Sequence, residues 1–171
     1  MKLRTLCITL GDPCGLGPEL VVRYFQDSQP VKDERILLIG PALSLKRELD
    51  RFGALPFYEL LKAPSEILEK DAGVYLFEPP ELSRLGFPEG EPTVEGGLAA
   101  GTSLDVAVTV LRSGLAQGLL TCPLNKAMLQ KAGFDFPGHT EFLANKLGVG
   151  EDQVCMHLCG HDSGDTVSPK L

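Results

Sequence analysis

The sequence predicts an α/β fold built on a mixed, mostly parallel sheet. Three observations carry that prediction. Short apolar runs recur along the chain, at 3–10, 36–39, 74–77, 118–124 and 153–159. Between them lie longer stretches with apolar side chains at helical spacing. Glycine, proline and asparagine punctuate the junctions, and strands that alternate with helices pair in parallel because each crossover helix carries the chain back across the sheet.

Leu3 to Leu10 reads as a buried strand, and residues 11–17 turn the chain. Pro18 opens a helix to about Gln26, since the first helical turn has no use for the missing N–H. Ile36 to Ile39 is a second strand, closed by Gly40-Pro41. Ala42 to Phe52 reads as an amphipathic helix with Leu43, Leu45 and Leu49 on one side and Lys46, Arg47, Glu48 and Asp50 on the other. Val74 to Phe77 is another strand. Residues 79–92, rich in Pro, Gly and Glu, read as a surface excursion. Thr93 to Leu115 is the longest helix. Its stripe of Leu104, Val108, Leu111 and Leu115, widened by Val106 and Val110, reads as core packing. Gly118 to Leu124 is a strand ending at Pro123. Asn125 to Ala132 is a short helix, with Asn125 as N-cap and Gly133 as its stop. A loop over 134–138 leads to a helix from His139 to Leu147, ended by Gly148. Gln153 to Cys159 is a last strand, and no helix follows to cover it. The chain reads as cut short inside a larger fold.

Composition bounds the function. The 171 residues suffice for one domain, or for one domain and part of a second. With 43% hydrophobic and 23% charged residues the chain is globular. Sixteen Lys and Arg against 23 Asp and Glu give a net charge of −7, which argues against a general nucleic-acid binder. A small anionic ligand remains open, because one local cluster of donors suffices. No apolar run approaches the roughly 20 residues of a membrane span, and the N-terminus lacks a signal-peptide cleavage pattern. The cysteines are Cys7, Cys14, Cys122, Cys155 and Cys159. Their odd number, with no export signal, points to reduced thiols in a cytoplasm.

Four places in the sequence carry candidate chemistry. Gly11-Asp12-Pro13-Cys14-Gly15-Leu16-Gly17-Pro18-Glu19 joins strand to helix. It fits either a plain corner or a ligand loop around Asp12, Gly15 and Gly17. Leu20 stands where a dinucleotide fingerprint needs its third glycine, and no Gly-Lys-Ser/Thr follows. Gly138-His139-Thr140-Glu141 opens a helix, where His, Thr and free N–H groups suit a phosphate or carboxylate; alternatively Thr140 is an N-cap and His139 is incidental. Thr121-Cys122-Pro123-Leu124-Asn125-Lys126 places Asn125 and Lys126 beyond a strand's carboxyl end, with Lys126 either paired to an anion or solvated. Cys155, His157, Cys159 and His161 alternate, but on one strand their side chains diverge too far for a zinc tetrahedron, so buried thiols are the better reading. No Gly-x-Ser-x-Gly occurs, and no cysteine or serine nucleophile is positioned.

Taken together, the first three motifs, with Ala132-Gly133 and Phe136-Pro137-Gly138, resemble the N-terminal half of the PdxA family, the 4-hydroxythreonine-4-phosphate dehydrogenases of vitamin B6 biosynthesis. The glycine loop is also similar to that of isocitrate and isopropylmalate dehydrogenases. The resemblance implies an α/β/α sandwich of that dehydrogenase-like fold, here truncated. The first domain would be 1–121, lacking its return segment, and 122–171 would hold the connection and the start of a second domain. The resemblance further implies a cytoplasmic homodimer with no nucleic-acid or membrane partner. Its substrate would be a small phosphorylated hydroxy-amino acid, oxidised by NAD with a divalent metal (zinc, magnesium, manganese or cobalt) and then decarboxylated to 3-amino-2-oxopropyl phosphate. His139 and Thr140 fall on the family's substrate-binding His-Thr pair. The family's three metal histidines would lie in the missing C-terminal half, and His157 and His161 do not replace them. No catalytic, metal-binding or cofactor-binding residue is assigned within this chain, which is expected to be inactive alone. A sister dehydrogenase of another phosphorylated or carboxylated hydroxy acid, and a non-catalytic anion-binding remnant, are the competing readings; a purely structural interaction protein has little support.

Overall fold

The apolar runs pair with one another as parallel strands. The computed structural model describes residues 3–27, 32–136 and 138–150. Strands β1 (Arg4–Thr9), β2 (Glu34–Ile39), β3 (Glu59–Leu61), β4 (Gly73–Phe77) and β5 (Gly118–Thr121) form one sheet in the order β3-β4-β2-β1-β5. Every adjacent pair among the described residues is parallel, with Cys7 opposite both Leu37 and Leu119. The helices are α1 (Gly17–Asp27), α2 (Ala42–Phe52), α3 (Val94–Arg112), α4 (Lys126–Lys131) and α5 (His139–Leu147). The strand expected at 153–159 lies outside the described residues, and with it Cys155, His157, Cys159 and His161.

Side-chain alternation sorts the central strands between two cores. Ile8 and Leu38 point with Val22, Leu45 and Leu49 into the layer made by α1 and α2. Cys7, Leu37 and Ile39 point the other way, toward Ala107 and Val110 of α3. Both faces of β1 and β2 are covered, which is why these strands read as nearly continuous apolar runs.

Three features differ from the sequence reading. Strand β3 and the 3-10 turn over Pro64–Glu69 lie in what reads as featureless sequence, because a three-residue strand carries no period; Ile67 of that turn is fully buried. In α2, Leu43 faces solvent and is 54% exposed, while Glu48 is 1% exposed. Leu43 lies two residues from Leu45, about 200° round the helix axis, whereas Glu48 falls on the side that Leu45 and Leu49 bury. Residues 79–92 are an anchored strap rather than a surface excursion: Leu82 and Phe87 are buried against Cys14 and Ala99.

Helix α3 is long and apolar enough to cross a membrane by length and composition alone, so the sequence holds one such stretch after all. Here it is a core helix. Thr93 caps it, its hydroxyl accepting from the Gly96 N–H at 3.0 Å. One side faces the sheet; another carries α4 and α5. Gly97 and Gly101, four residues apart, make the second contact possible. A side chain on Gly97 would run into the Met128 backbone, and one on Gly101 into the Phe134 ring. Gly97→Ala is therefore expected to lower stability by about 1–3 kcal/mol, although alanine is the better helix former by ~1 kcal/mol. A urea midpoint that is unchanged or raised would show that α4 does not press on α3 as described.

Candidate functional site

Strand β1 has β2 on one side and β5 on the other, and the chain moves outward from it in both directions. In such sheets the crevice beyond the carboxyl ends of the diverging strands is where ligands bind. The loops after β1 and β5 meet there. The Cys122 N–H donates to the Thr9 carbonyl at 3.1 Å and the Asp12 N–H to the Pro123 carbonyl at 2.9 Å. Gly11 sits between them at φ +67°, with the Cys122 and Pro123 carbonyls where a side chain would stand. Only glycine combines that backbone angle with that approach.

The glycine loop turns its polar groups inward. Asp12 is 6% exposed; its Oδ1 accepts from the Cys14 N–H at 2.9 Å, and its carbonyl accepts from the Gly15 N–H at 3.0 Å. The carboxylate lies against the first turn of α3, where a Cβ on Gly96 would come within 2.7 Å of Oδ1, and a helix N-terminus favours that charge. Gly15 is exposed, and Gly17 begins α1 packed against the Leu10 carbonyl. Arg47 braces the corner. Its Nε donates to Glu48 Oε1 at 2.9 Å, its Nη1 to the Phe87 carbonyl at 2.8 Å and its Nη2 to the Pro13 carbonyl at 2.9 Å.

A cavity of about 270 Å³ opens beside the loop, lined in part by Asp12, Glu19, Glu48, Arg51 and Glu89. Arg51 Nη1 lies 2.8 Å from Glu89, 3.4 Å from Glu48 and 3.6 Å from Glu19. Four carboxylates line the cavity with one guanidinium, and three of them already pair with it. This lining is a poor cradle for a phosphate, and the loop's geometry is that of a braced corner.

The other side of the crevice is different. Asn125 caps α4, its Oδ1 accepting from the Met128 N–H at 3.1 Å, so its side chain is engaged. Lys126 follows, exposed, in the first turn. Helix α5 starts from an extended Gly138 with no side-chain cap. Thr140 is thus not the N-cap; it is exposed at the second helical position. His139 is half-buried, and its Nε2 is buried without a hydrogen-bond partner among the described residues. Burial pushes its pKa down, and the Lys126 charge adds to that, while a hydrogen bond to the Cys122 carbonyl opposes both. The imidazole is therefore biased toward the neutral form. The structure brings His139, Lys126 and the start of α5 together at the end of β5. Another polar group, the Thr9 hydroxyl at the end of β1, is also buried without a hydrogen-bond partner among the described residues. Sequence reading passes over it as part of an apolar run.

The described thiols are structural. Burial pushes Cys7 up to about 12 and Cys122 to about 11, and it also raises Cys14, so none is an activated nucleophile. Among the described residues no group of three or more His, Cys, Asp or Glu side chains could hold a metal ion.

Residues 33–163 match the sequence model of the family described as pyridoxal phosphate biosynthetic protein PdxA, well over half of the chain. The chain belongs to the PdxA family. The match contains the Thr121–Lys126 and Gly138–Glu141 motifs and begins after the glycine loop. Among curated PdxA relatives, the 4-hydroxythreonine-4-phosphate dehydrogenase of Zymomonas mobilis is 31% identical over 160 residues, 94% of this chain and 46% of the relative. The D-threonate 4-phosphate dehydrogenase of Bordetella bronchiseptica is 31% identical over 151 residues, covering 86% of this chain and 42% of its own length. The crystal structure of a 4-hydroxythreonine-4-phosphate dehydrogenase from Burkholderia phymatum superposes with a TM-score of 0.72 at 32% identity, over 87% of this chain and 45% of that one. The chain thus spans a little under half the length of the PdxA relatives it matches, and the α/β architecture is common to both.

Proposed function

We propose that this chain is the substrate-anion-binding part of a PdxA-type dehydrogenase acting on a phosphorylated hydroxy-amino acid in vitamin B6 biosynthesis. The observation that carries the reading is the pair His139 and Thr140 at the uncapped start of α5, beyond the carboxyl end of β5. The buried, unpartnered Nε2 of His139 can take one hydrogen bond from or to a ligand, and the exposed Thr140 hydroxyl another. The first N–H groups of α5 add the favourable end of a helix dipole.

In this reading residues 1–121 form the first domain and 122–171 open the second. The working enzyme is a cytoplasmic homodimer. NAD, when bound, accepts the hydride released on oxidation of the substrate hydroxyl. The described residues do not supply ligands for the divalent metal, so no step through it is assigned to them. Their own work is to bind and orient the substrate and, through half-buried His139, to keep a neutral imidazole at its anion. The chain alone is therefore expected to bind without turning over.

The relative named for D-threonate 4-phosphate supports a second reading within the same chemistry. A site made of His139, Thr140 and a helix end recognises an oxyanion and not a carbon skeleton. The test is calorimetric titration of the purified chain with 4-phosphooxy-L-threonine and with D-threonate 4-phosphate. His139→Asn and Thr140→Val are each expected to weaken the preferred ligand by about tenfold to a hundredfold, the effect of losing a hydrogen bond to a charged group. Affinity unchanged by both substitutions would remove the site. Steady NADH formation by the chain with NAD and added zinc, magnesium, manganese or cobalt would overturn its inactivity alone.

A further inference from the structure

We propose that Lys126 is a further substrate-binding residue, its ammonium holding a phosphate-type oxyanion against the first N–H groups of α5. The inference rests on the His139–Thr140 site and adds to it a cation that lies beside it.

Three independent groups at this place lack what a positive or donor group ordinarily finds. Lys126 enters no ion pair among the described residues. The α5 N-terminus has no side-chain cap. The Nε2 of His139 is buried with no hydrogen-bond partner among the described residues. Their proximity follows from the α4–α5 connection: a Cβ built on Gly138 would lie 3.5 Å from Lys126 Nζ and 3.3 Å from Glu141 Oε2. Lys126 Nζ and Glu141 Oε2 therefore both lie beside Gly138, yet they form no ion pair with each other among the described residues.

The electrostatics run the same way. The Lys126 charge is felt at His139, where it disfavours the protonated imidazole. A cation beside a helix N-terminus is the unfavourable end of the dipole for that cation, and an arriving dianion reverses the sign of both interactions. The acidic cavity beside the glycine loop offers no such place, because Arg51 is already shared among three carboxylates. Lys126 also sits on α4, whose N-cap Asn125 fixes the start of the helix through its own hydrogen bond. The backbone of Lys126 is thus fixed by the helix start while its side chain is exposed.

The experiment is titration of the 171-residue chain with inorganic phosphate, followed by calorimetry and by the His139 ring resonances. Lys126→Met keeps the aliphatic stem and is expected to weaken phosphate about tenfold and to lower the salt dependence of binding by about one charge. Lys126→Arg is expected to restore most of the affinity, which a structural role of the stem would not predict. Thermal melting of both variants, with Lys126→Gln as a third, separates loss of charge from loss of fold. Binding weakened by His139→Asn but equal in wild type, Lys126→Met and Lys126→Gln overturns the role of Lys126 and leaves the His139–Thr140 site standing. Phosphate binding that is absent, or indifferent to every substitution, overturns both.

Discussion

Phe142→Ala is expected to cost about 3–5 kcal/mol, the range for removing a fully enclosed aromatic ring. Phe142 is completely buried. Its ring stands edge-on to Phe136 at 5.1 Å and tilted to Phe134 at 6.2 Å, and it packs with Leu104 and Val108 of α3. It lies three residues after His139, so it is the anchor that holds the start of α5 in place. Because the apolar docking of α5 is concentrated in this cluster, with the Lys146–Asp105 pair and the Arg112 to Lys146 carbonyl bond as half-exposed additions, the loss should appear as local undocking before global unfolding. Hydrogen exchange is the measurement. The amides of α5 should lose protection while those of β1 and β2 keep theirs, and phosphate binding at His139 should fall with the α5 signal. Retained α5 protection would mean that the helix is held by something other than Phe142.

Glu48→Ala is the second large effect. Glu48 is buried in α2, yet it carries the charge that organises two arginines. Removing it leaves Arg47 facing the interior with its Nε donor unmatched. The cost of breaking a fully buried pair is about 3–5 kcal/mol. Here about 2–3 kcal/mol is expected, because Arg51 is half exposed and water screens its share. Glu48→Gln, which keeps one acceptor for Arg47, should lose less than half of that. The check is chemical denaturation of both variants under identical salt. Equal losses would mean that the carboxylate's charge, and not its shape or its one retained acceptor, is what α2 needs.

How much of this was legible in the sequence differs element by element. Strands β1, β2 and β4 are readable because burial leaves unbroken apolar runs, while β5, only half-buried and with Leu120 exposed, is readable because Gly118 and Pro123 bracket its short apolar run. Helix α4 is readable because Asn125 and Gly133 carry their own local reasons for starting and stopping it. Leu43 and Glu48 are misread because a helical stripe can be drawn through either, and only the position of the sheet decides which is inside. The strap over 79–92 hides its anchors in the same way: Leu82 and Phe87 are isolated apolar residues in polar company, and nothing local says that they reach Cys14. At the site, His139 and Thr140 are found by motif. The inward turn of Asp12 is not, since a Gly-rich loop that cradles an anion and one that folds its own carboxylate inward look alike in sequence. Lys126 is visible as a candidate, but its lack of an ion pair among the described residues is a tertiary fact.

The pairing of β5 with β1 has a consequence for how the chain is made. Thr5 donates to the side chain of Gln117, 112 positions later, and Thr9 is registered opposite Thr121. At the roughly 5–20 residues per second of synthesis, the β5 side of β1 therefore waits on the order of ten seconds for its partner to leave the ribosome. During that interval Leu6 and Ile8 belong to an exposed edge that any other extended segment can join. Late closure of a long-range parallel pair is also slow in itself, because the loop entropy must be met before the contacts form. The newborn chain should consequently be a chaperone client until β5 arrives. Stalling translation before residue 118 should yield a nascent chain that aggregates, and stalling well after residue 121 should not.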